Sequence, residues 1–466
     1  MGVCAASCAQ AMEEIDALVD YERAPPSDRA AYRTDRVARL LAKLGSPHRS
    51  APVVHIAGTK GKGSVAHLAA RLLRRCDSER SVGLFTSPAI LTPRDQIAID
   101  NAEIGVERFV DAHVRVRDAA RALAREIRGG FAPTRFEWLT ALAFVAFSRA
   151  HTRVNVIETG LGGRGDATNV PDLPVAVAGI SAISRDHADV LGDDLAGIAA
   201  EKGGIIRHGV SVAVARQPAT AEKRLADLAR QARAAPLWVG RQIRIERRPR
   251  ARDAAPDAPE EFILARGTSG AARARIPVKC PLAGAHQTEN AALALALTDL
   301  FCLAVRTPPP DARQIQAAWK YIRLPGRIEF FDRNPWTIID GAHNPASAWA
   351  LAETVRERFA DRKWTLVFGV ARDKDVEGIW RILAPMVGEA VFTASDSPRA
   401  APPEALLRRW RELYPAVQAR AEGAPGAALA MARTRGGADG LVVATGSLRL
   451  VGEWHRARAA EPMTVA

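Results

Sequence analysis

An apolar run, Val53-Val54-His55-Ile56-Ala57, passes directly into Gly58-Thr59-Lys60-Gly61-Lys62-Gly63-Ser64, a glycine-rich loop that carries lysines and ends on a hydroxyl. Glycines let the backbone turn tightly and aim its N–H groups at phosphate oxygens. A lysine adds a point charge, and a serine where a helix begins can hold the Mg2+ of a nucleoside triphosphate. The chemistry implied is binding and use of a triphosphate. In the common loop of this kind Ser or Thr follows the lysine directly, whereas here Gly63 separates Lys62 from Ser64, which sets the chain apart from a generic ATPase. A glycine-rich turn with no ligand is the bland alternative, and the strand before the loop and the helical pattern after it weigh against it.

Two further groups carry chemistry. Glu158-Thr159-Gly160-Leu161-Gly162-Gly163-Arg164-Gly165-Asp166-Ala167-Thr168-Asn169 puts a carboxylate at a strand end before a second glycine-rich turn. Glu158 is a hard oxygen ligand suited to Mg2+, and Arg164 and Asp166 have the charges to orient a polar substrate. Ser184-Arg185-Asp186-His187 and Glu201-Lys202 follow. Each is weak alone, because a single histidine or lysine usually has a structural or solvated role. Their order after the phosphate loop gives them weight.

These residues need a scaffold, and β-branched runs alternating with helical patterns predict one. Strands are expected at Val53–Ala57, Val82–Phe85, Val154–Glu158, Val175–Ile180 and Val210–Val214, and a largely parallel sheet covered by helices follows. Val65, Leu68, Ala69, Leu72 and Leu73 form the apolar stripe of a helix after the phosphate loop. Val106–Ile127 reads as an amphipathic helix and Phe136–Phe144 as a buried one. Arg241–Ile276 changes character and predicts an exposed hairpin or excursion. The Thr307-Pro308-Pro309-Pro310 cluster cannot continue the preceding helix, Asn290–Cys302, so a domain boundary is expected there, giving domains 1–306 and 307–466. A second α/β series follows, with strands at Trp336–Asp340, Thr365–Val370, Ala390–Ala394 and Leu441–Thr445. Ligands of open α/β sheets collect at strand carboxyl ends, so Asp340–Pro345 and Thr445–Leu448 are site candidates.

The 466 residues, 48% hydrophobic, suffice for two or three globular domains. A net charge of +13 raises the question of nucleic acid, but the arginines are scattered and aromatics make up only 6%, leaving few stacking platforms. No nucleic-acid partner is expected. Cys4, Cys8, Cys76, Cys280 and Cys302 show no zinc-type or redox spacing, an odd set that suits a reducing compartment. No export or lipidation signal and no apolar run near the roughly 20 residues of a membrane helix is read, so the expectation is a cytoplasmic protein without a membrane partner.

Taken in order, these motifs resemble the folylpolyglutamate synthase/dihydrofolate synthase family of the Mur ligase superfamily. The resemblance rests on Gly58–Ser64, Thr86-Ser87-Pro88, Glu158–Asn169, Asp186-His187 with Leu191-Gly192-Asp193, and Glu201-Lys202. It continues through His286-Gln287 with Asn290, Leu324-Pro325-Gly326-Arg327, Asp340–Pro345, Ala371-Arg372-Asp373-Lys374-Asp375 and Thr445–Leu448, nearly the whole chain. It implies an N-terminal P-loop-type ATPase domain with a mainly parallel sheet and a smaller, Rossmann-like C-terminal α/β domain. The activity implied is ATP-dependent amide formation between L-glutamate and the carboxylate of dihydropteroate or a reduced folate, through an acyl phosphate, by a monomer.

Carried over residue by residue, the resemblance makes Gly58, Thr59, Lys60, Gly61, Lys62, Gly63, Ser64, Asn290, Arg327 and Asp340 the ATP ligands, Asp340 reaching in from the second domain. Two Mg2+ ions are implied, one held by Ser64 and one by Ser87, Glu158, His187 and Lys202, the lysine carbamylated. Lys62, His187 and Lys202 are the catalytic candidates. Thr86, Phe136, Glu137, Gly165, Asp166 and Ala167 would face the pterin, Phe136 being as credible as core, and His343 and Ser447 the incoming glutamate. Ala89-Ile90, Asp95-Gln96-Ile97 and Gly165 depart from the family's usual residues, which puts substrate preference in question before ATP chemistry. The alternatives are another Mur-type amino-acid ligase, or a basic nucleotide-binding protein without ligase activity.

Overall fold

The computed structural model describes residues 2–21, 34–128, 130–184, 194–251, 253–267, 274–360 and 362–460. Val53–Ala57 (β1), Val82–Phe85 (β2), Ile97–Ile99 (β3), Ala102–Glu103 (β4), Val154–Glu158 (β5), Val175–Ile180 (β6), Ser211–Val214 (β7) and Pro236–Trp238 (β8) form an eight-stranded sheet ordered β4-β3-β2-β5-β1-β6-β7-β8. From β2 to β8 every pairing is parallel, and only the β2–β3 and β3–β4 pairings at one edge are antiparallel. Every residue of β1, β2 and β5 is buried, which is why those segments read as continuous apolar runs instead of alternating ones.

Helices Gly2–Asp16 (α1), Asp35–Lys43 (α2), Lys62–Cys76 (α3), Val106–Glu126 (α4) and Arg135–Arg149 (α5) belong to this unit. Residues of α1, α4 and α5, including Ile15, Phe109, Leu142 and Phe144, share one apolar cluster with Phe85 and Ile157 of the sheet. A second cluster joins β6, β7 and β8 to Leu195–Lys202 (α6) and Ala219–Gln231 (α7) through Ile180, Ile198, Val212, Leu225 and Trp238. The expected stripe of α3 is realised: Val65, Leu68, Ala69, Leu72 and Leu73 are all fully buried.

Ile243–Arg247 (β9), Glu260–Arg266 (β10) and Ala274–Cys280 (β11) make a separate three-stranded sheet in the order β11-β10-β9. The β9–β10 pairing is antiparallel, so the expected excursion contains an ordered hairpin. Ala285–Ala304 (α8) and Ala312–Trp319 (α9) follow, with Trp319 Nε1–H donating to the Leu68 carbonyl at 3.0 Å. That anchor keeps α9 with the first unit, and the chain leaves that unit for the last time after Lys320, later than the prolines suggested.

The first compact unit comprises Met1–Arg248, Glu261–Lys279 and Thr288–Lys320, and the second Pro249–Glu260, Cys280–Gln287 and Tyr321–Ala466. In the second, Glu329–Arg333 (β12), Trp336–Ile339 (β13), Trp364–Phe368 (β14), Val387–Phe392 (β15), Gln418–Ala421 (β16) and Leu441–Thr445 (β17) form a six-stranded sheet ordered β12-β13-β17-β14-β15-β16. All pairings are parallel except β12 with β13. Helices Pro345–Phe359 (α10), Val376–Leu383 (α11), Pro403–Leu413 (α12), Pro425–Gly436 (α13) and Leu448–Ala460 (α14) alternate with the strands. Arg358, buried on α10, pairs with Glu260 and donates to the Pro256 and Ala258 carbonyls, tying the Pro249–Glu260 segment to this unit.

Candidate active site

Sheet register places the first unit's candidates side by side. Ile56 of β1 pairs with Glu158 of β5, Phe85 of β2 with Ile157, and Ala57 with Ile180 of β6. Thr86-Ser87, Glu158, Gly58 and Ser181 therefore issue from four adjacent strand ends, successive strands lying about 4.8 Å apart. Ser87 N–H donates to Glu158 Oε2 at 3.1 Å, which joins the neighbouring ends of β2 and β5.

The loop between β1 and α3 opens onto this row. Gly61 caps α3 with a left-handed φ of +84°, and a Cβ there would collide with Asn290 Oδ1 of α8. Only glycine gives both the turn and the close approach. Lys62 and Ser64 then sit in the first turn of α3, where free backbone N–H groups and the positive helix end favour an anion. Lys62 Nζ lies 3.9 Å from Glu158 Oε1, an attraction too long for a hydrogen bond. Lys202, at the end of α6 and 3% exposed, donates from Nζ to the Gly58 carbonyl at 2.9 Å.

Ser64 is 2% exposed, and its Oγ has no hydrogen-bond partner among the described residues. A buried hydroxyl left without a partner is costly unless a ligand completes it. Across the loop Glu158 is 3% exposed, and a Cβ on Gly63 would stand 3.3 Å from its Oε2. One carboxylate and one hydroxyl are too few for an all-protein metal cage, and among the described residues no group of three His, Cys, Asp or Glu is placed to hold a metal. They do fit Mg2+, which takes one or two protein oxygens and completes its shell with phosphate and water.

In the second unit Asp340, Gly341 and Ser447 follow the ends of β13 and β17, and Ile339 pairs with Ala444. Asp340 accepts Ile328 N–H and Ala342 N–H, each at 2.8 Å, and so staples the Gly326-Arg327 turn to its own loop. His343 donates from Nδ1–H to the Gly341 carbonyl at 2.8 Å, which presents Nε2 as an acceptor. Ser447 Oγ accepts Arg449 N–H at 3.2 Å where α14 begins. Burial first, and the Arg327 guanidinium second, push His286 down to about 4, so it is neutral at physiological pH.

Residues 326–448 match the Mur ligase, glutamate ligase domain. The dihydrofolate synthase/folylpolyglutamate synthase of Mycobacterium tuberculosis is 37% identical over 393 residues, covering 82% of this chain and 78% of that protein. The Bacillus subtilis protein of the same name is 30% identical over 427 residues, 90% of this chain and 93% of its own. The chain belongs to the dihydrofolate synthase/folylpolyglutamate synthase family. The crystal structure of M. tuberculosis folylpolyglutamate synthase complexed with ADP and AMPPCP superposes with a TM-score of 0.86 at 31% identity, covering 99% of this chain and 100% of that one. Members of this family are ATP-dependent ligases that join glutamate to folate or dihydropteroate, and this chain is such a ligase.

Of the site residues expected in a family member, the structure brings Gly58–Ser64, Ser87, Glu158, Lys202 and Asn290 together, and separately Arg327, Asp340, His343 and Ser447. His187, with Asp186, lies outside the described residues. Two expected pterin contacts are also bonded within the protein. Glu137 closes a capping box, its Oε2 accepting Thr134 N–H at 2.7 Å while its N–H donates to Thr134 Oγ1, and Arg36 Nε donates to both carboxylate oxygens at 2.9 and 3.0 Å. Asp166 is buried and accepts Leu161 N–H at 2.9 Å, Thr168 N–H at 3.0 Å and Thr168 Oγ1–H at 2.6 Å. Both carboxylates secure local structure. Phe136 is half-buried, its ring stacked on Phe85 with centroids 5.7 Å apart, and a Cβ on Gly160 would lie 2.7 Å from its Cζ. It is a wall of the core that also borders the glycine turn, to which Gly165 and Ala167 belong. The sequence reading missed Ser181, whose hydroxyl fills the space a Cβ on Gly58 would need, and the Thr59–Ser184 pair, bonded at 3.1 and 3.2 Å. Their position at the end of β6, beside β1, was the available signal.

The Asp166 turn also rests on β1. His55 Nε2 meets Thr168 Oγ1 at 2.8 Å. Because that hydroxyl gives its proton to Asp166, the histidine must donate, leaving Nδ1 as a buried acceptor without a partner among the described residues. Burial, and secondarily Arg207, push His55 down to about 3. An imidazole lowered from 6.5 to about 3 on folding stays neutral in the native state while the unfolded chain takes up a proton. Its contribution is present above pH 6.5 and is lost as pH falls towards 3, at about 1.4 kcal/mol per pH unit. Replacing His55 by Gln is expected to flatten the dependence of unfolding free energy on pH between 6 and 4 by that slope. An unchanged slope in urea titrations would remove His55 as the cause.

Proposed function

We propose that this chain adds L-glutamate to dihydropteroate, to a reduced folate, or to both, using ATP in a Mg2+-dependent reaction. The observation that carries this reading is the row of strand ends that sets Ser87, Glu158 and the Gly58–Ser64 loop side by side, with an unsatisfied Ser64 hydroxyl at the helix start. A carboxylate oxygen of the pterin substrate attacks the γ-phosphorus, the bond to the β-phosphate oxygen breaks, and ADP leaves. The glutamate ammonium gives up a proton, the free amine attacks the acyl carbon, and the tetrahedral intermediate collapses by expelling phosphate, which carries off the second nitrogen proton. Both partners in the first step are anions, so the α3 N-terminus, its backbone N–H groups and Lys62 must offset their repulsion.

Ser64 would hold one Mg2+, and Ser87, Glu158, His187 and Lys202 as a carbamate a second; when bound they supply positive charge to the phosphate oxygens. Arg327 and Asp340 are the nucleotide ligands, and His343 and Ser447 the glutamate contacts, that family resemblance assigns to the second unit. We place the protein in the cytoplasm as a monomer. Free thiols at Cys8, Cys76, Cys280 and Cys302 support a reducing compartment, and among the described residues no helix is long and apolar enough to cross a membrane.

The test is glutamate-dependent ADP release with dihydropteroate, tetrahydrofolate and a UDP-muramoyl substrate, each alone, in Mg2+ and then in EDTA. Release with at least one pterin and its loss in EDTA are expected, and release with neither pterin would sink the assignment. In the same assay Lys202→Ala is expected to be inactive and to regain rate with added acetate. Full activity of Lys202→Ala without acetate would overturn the carbamate.

A further inference from the structure

At the end of α3 opposite the phosphate loop, Arg71, Arg74 and Arg75 line a cavity of about 750 Å3 together with Cys76, Asn101 and Gln314. The helix has 15 residues, so this end lies about 22 Å along its axis from the loop. Basic residues at a helix C-terminus are ordinary, because they meet the negative end of the dipole, and alone they would signify nothing. Here they face a concavity of the size that encloses small ligands.

The three arginines are also not equivalent. Arg74 is already engaged, with Nε 3.2 Å from Asp100 Oδ1 and Nη1–H donating to the Ser78 carbonyl at 2.8 Å. Arg71 stands a turn further inside the helix and is half-buried, and burial draws its guanidinium below the usual range. Neither Arg71 nor the exposed Arg75 forms an ion pair with a carboxylate among the described residues. Two unneutralised guanidinium forks therefore address one cavity, Asn101 and Gln314 add neutral amides, and no carboxylate lines the wall. Forks of this shape match carboxylate and phosphate oxygens in pairs.

We propose that this cavity binds a small polyanion carrying two or more carboxylate or phosphate groups, at a site separate from the one that uses ATP. The test is calorimetric titration of the full chain at low salt in metal-free buffer, with citrate in one arm and inorganic triphosphate in the other. Any binding of triphosphate to the phosphate loop is shared by wild type and variant, so their difference isolates the cavity. Saturable binding in at least one arm is expected, weakened at least about tenfold in Arg71→Gln/Arg75→Gln and by added salt. The unfolding midpoint and the ligation rate without polyanion should be unchanged. Citrate alone would identify a polycarboxylate site and triphosphate alone a polyphosphate site. Because Arg75 is exposed, Arg75→Gln by itself should fold and still weaken binding about threefold. No binding of either probe, or equal binding by wild type and both variants, overturns the proposal.

Discussion

Replacing Lys62 by Met is expected to lower kcat/KM for ATP-dependent ligation by roughly 10²–10³, the range seen when one preorganised charge-stabilising group is removed. Lys62 begins α3 with its ammonium 3.9 Å from Glu158, at the loop to which the proposed reaction assigns the triphosphate and the attacking carboxylate. Methionine keeps the length and apolar stem of the side chain and removes only the charge. The unfolding midpoint should move by no more than a few degrees, because no hydrogen bond is lost with Glu158. The two effects separate the readings: low activity in a protein of normal stability assigns Lys62 to the reaction, whereas activity within tenfold of wild type would falsify that assignment.

Gly61→Val should have an effect of similar size by another route. A β-branched residue at a φ of +84° is strained by about 1–3 kcal/mol, and its Cβ meets Asn290 Oδ1. The backbone must shift, and the N–H groups of the loop shift with it. Affinity for a non-hydrolysable ATP analogue is expected to fall at least about 10²-fold, with a loss of stability no larger than the strain. Measured by fluorescent-nucleotide displacement, a change under threefold would show that the loop is not held by its fit against Asn290.

Parallel strands buried on both faces were legible because each is a mostly apolar, largely β-branched run closed by glycine, proline or a polar residue. β1, β2, β5, β6 and β17 have the expected bounds. β3, β4, β8, β12 and β16 escaped notice: none is longer than five residues and most lie at sheet edges. The phosphate loop was legible for a different reason, since its glycines, lysine and serine are adjacent in sequence and need only the strand and helix around them. Asn290 and Ser181 depend on the register of distant elements, which no local pattern contains. At Glu137 a second signal was present, for Thr134-x-x-Glu137 before an apolar run is a capping box, and the cap uses the carboxylate. At Asp166 a charge within a glycine-rich turn suggests a ligand, and the turn itself also uses the acceptor.

The segment Pro249–Glu260 gives the second unit a constraint on how it can be inherited. A gene fragment covering 326–448, the span that matches a glutamate ligase domain, would encode Arg358 but not its partner Glu260. A buried guanidinium stripped of its carboxylate is destabilising by roughly 3–5 kcal/mol, a large share of what holds a domain of that size together. The two units are thus distinct as compact bodies yet not separable as cassettes. Recombination that exchanged the second between relatives would have to carry a short stretch encoded before Asn290 along with it.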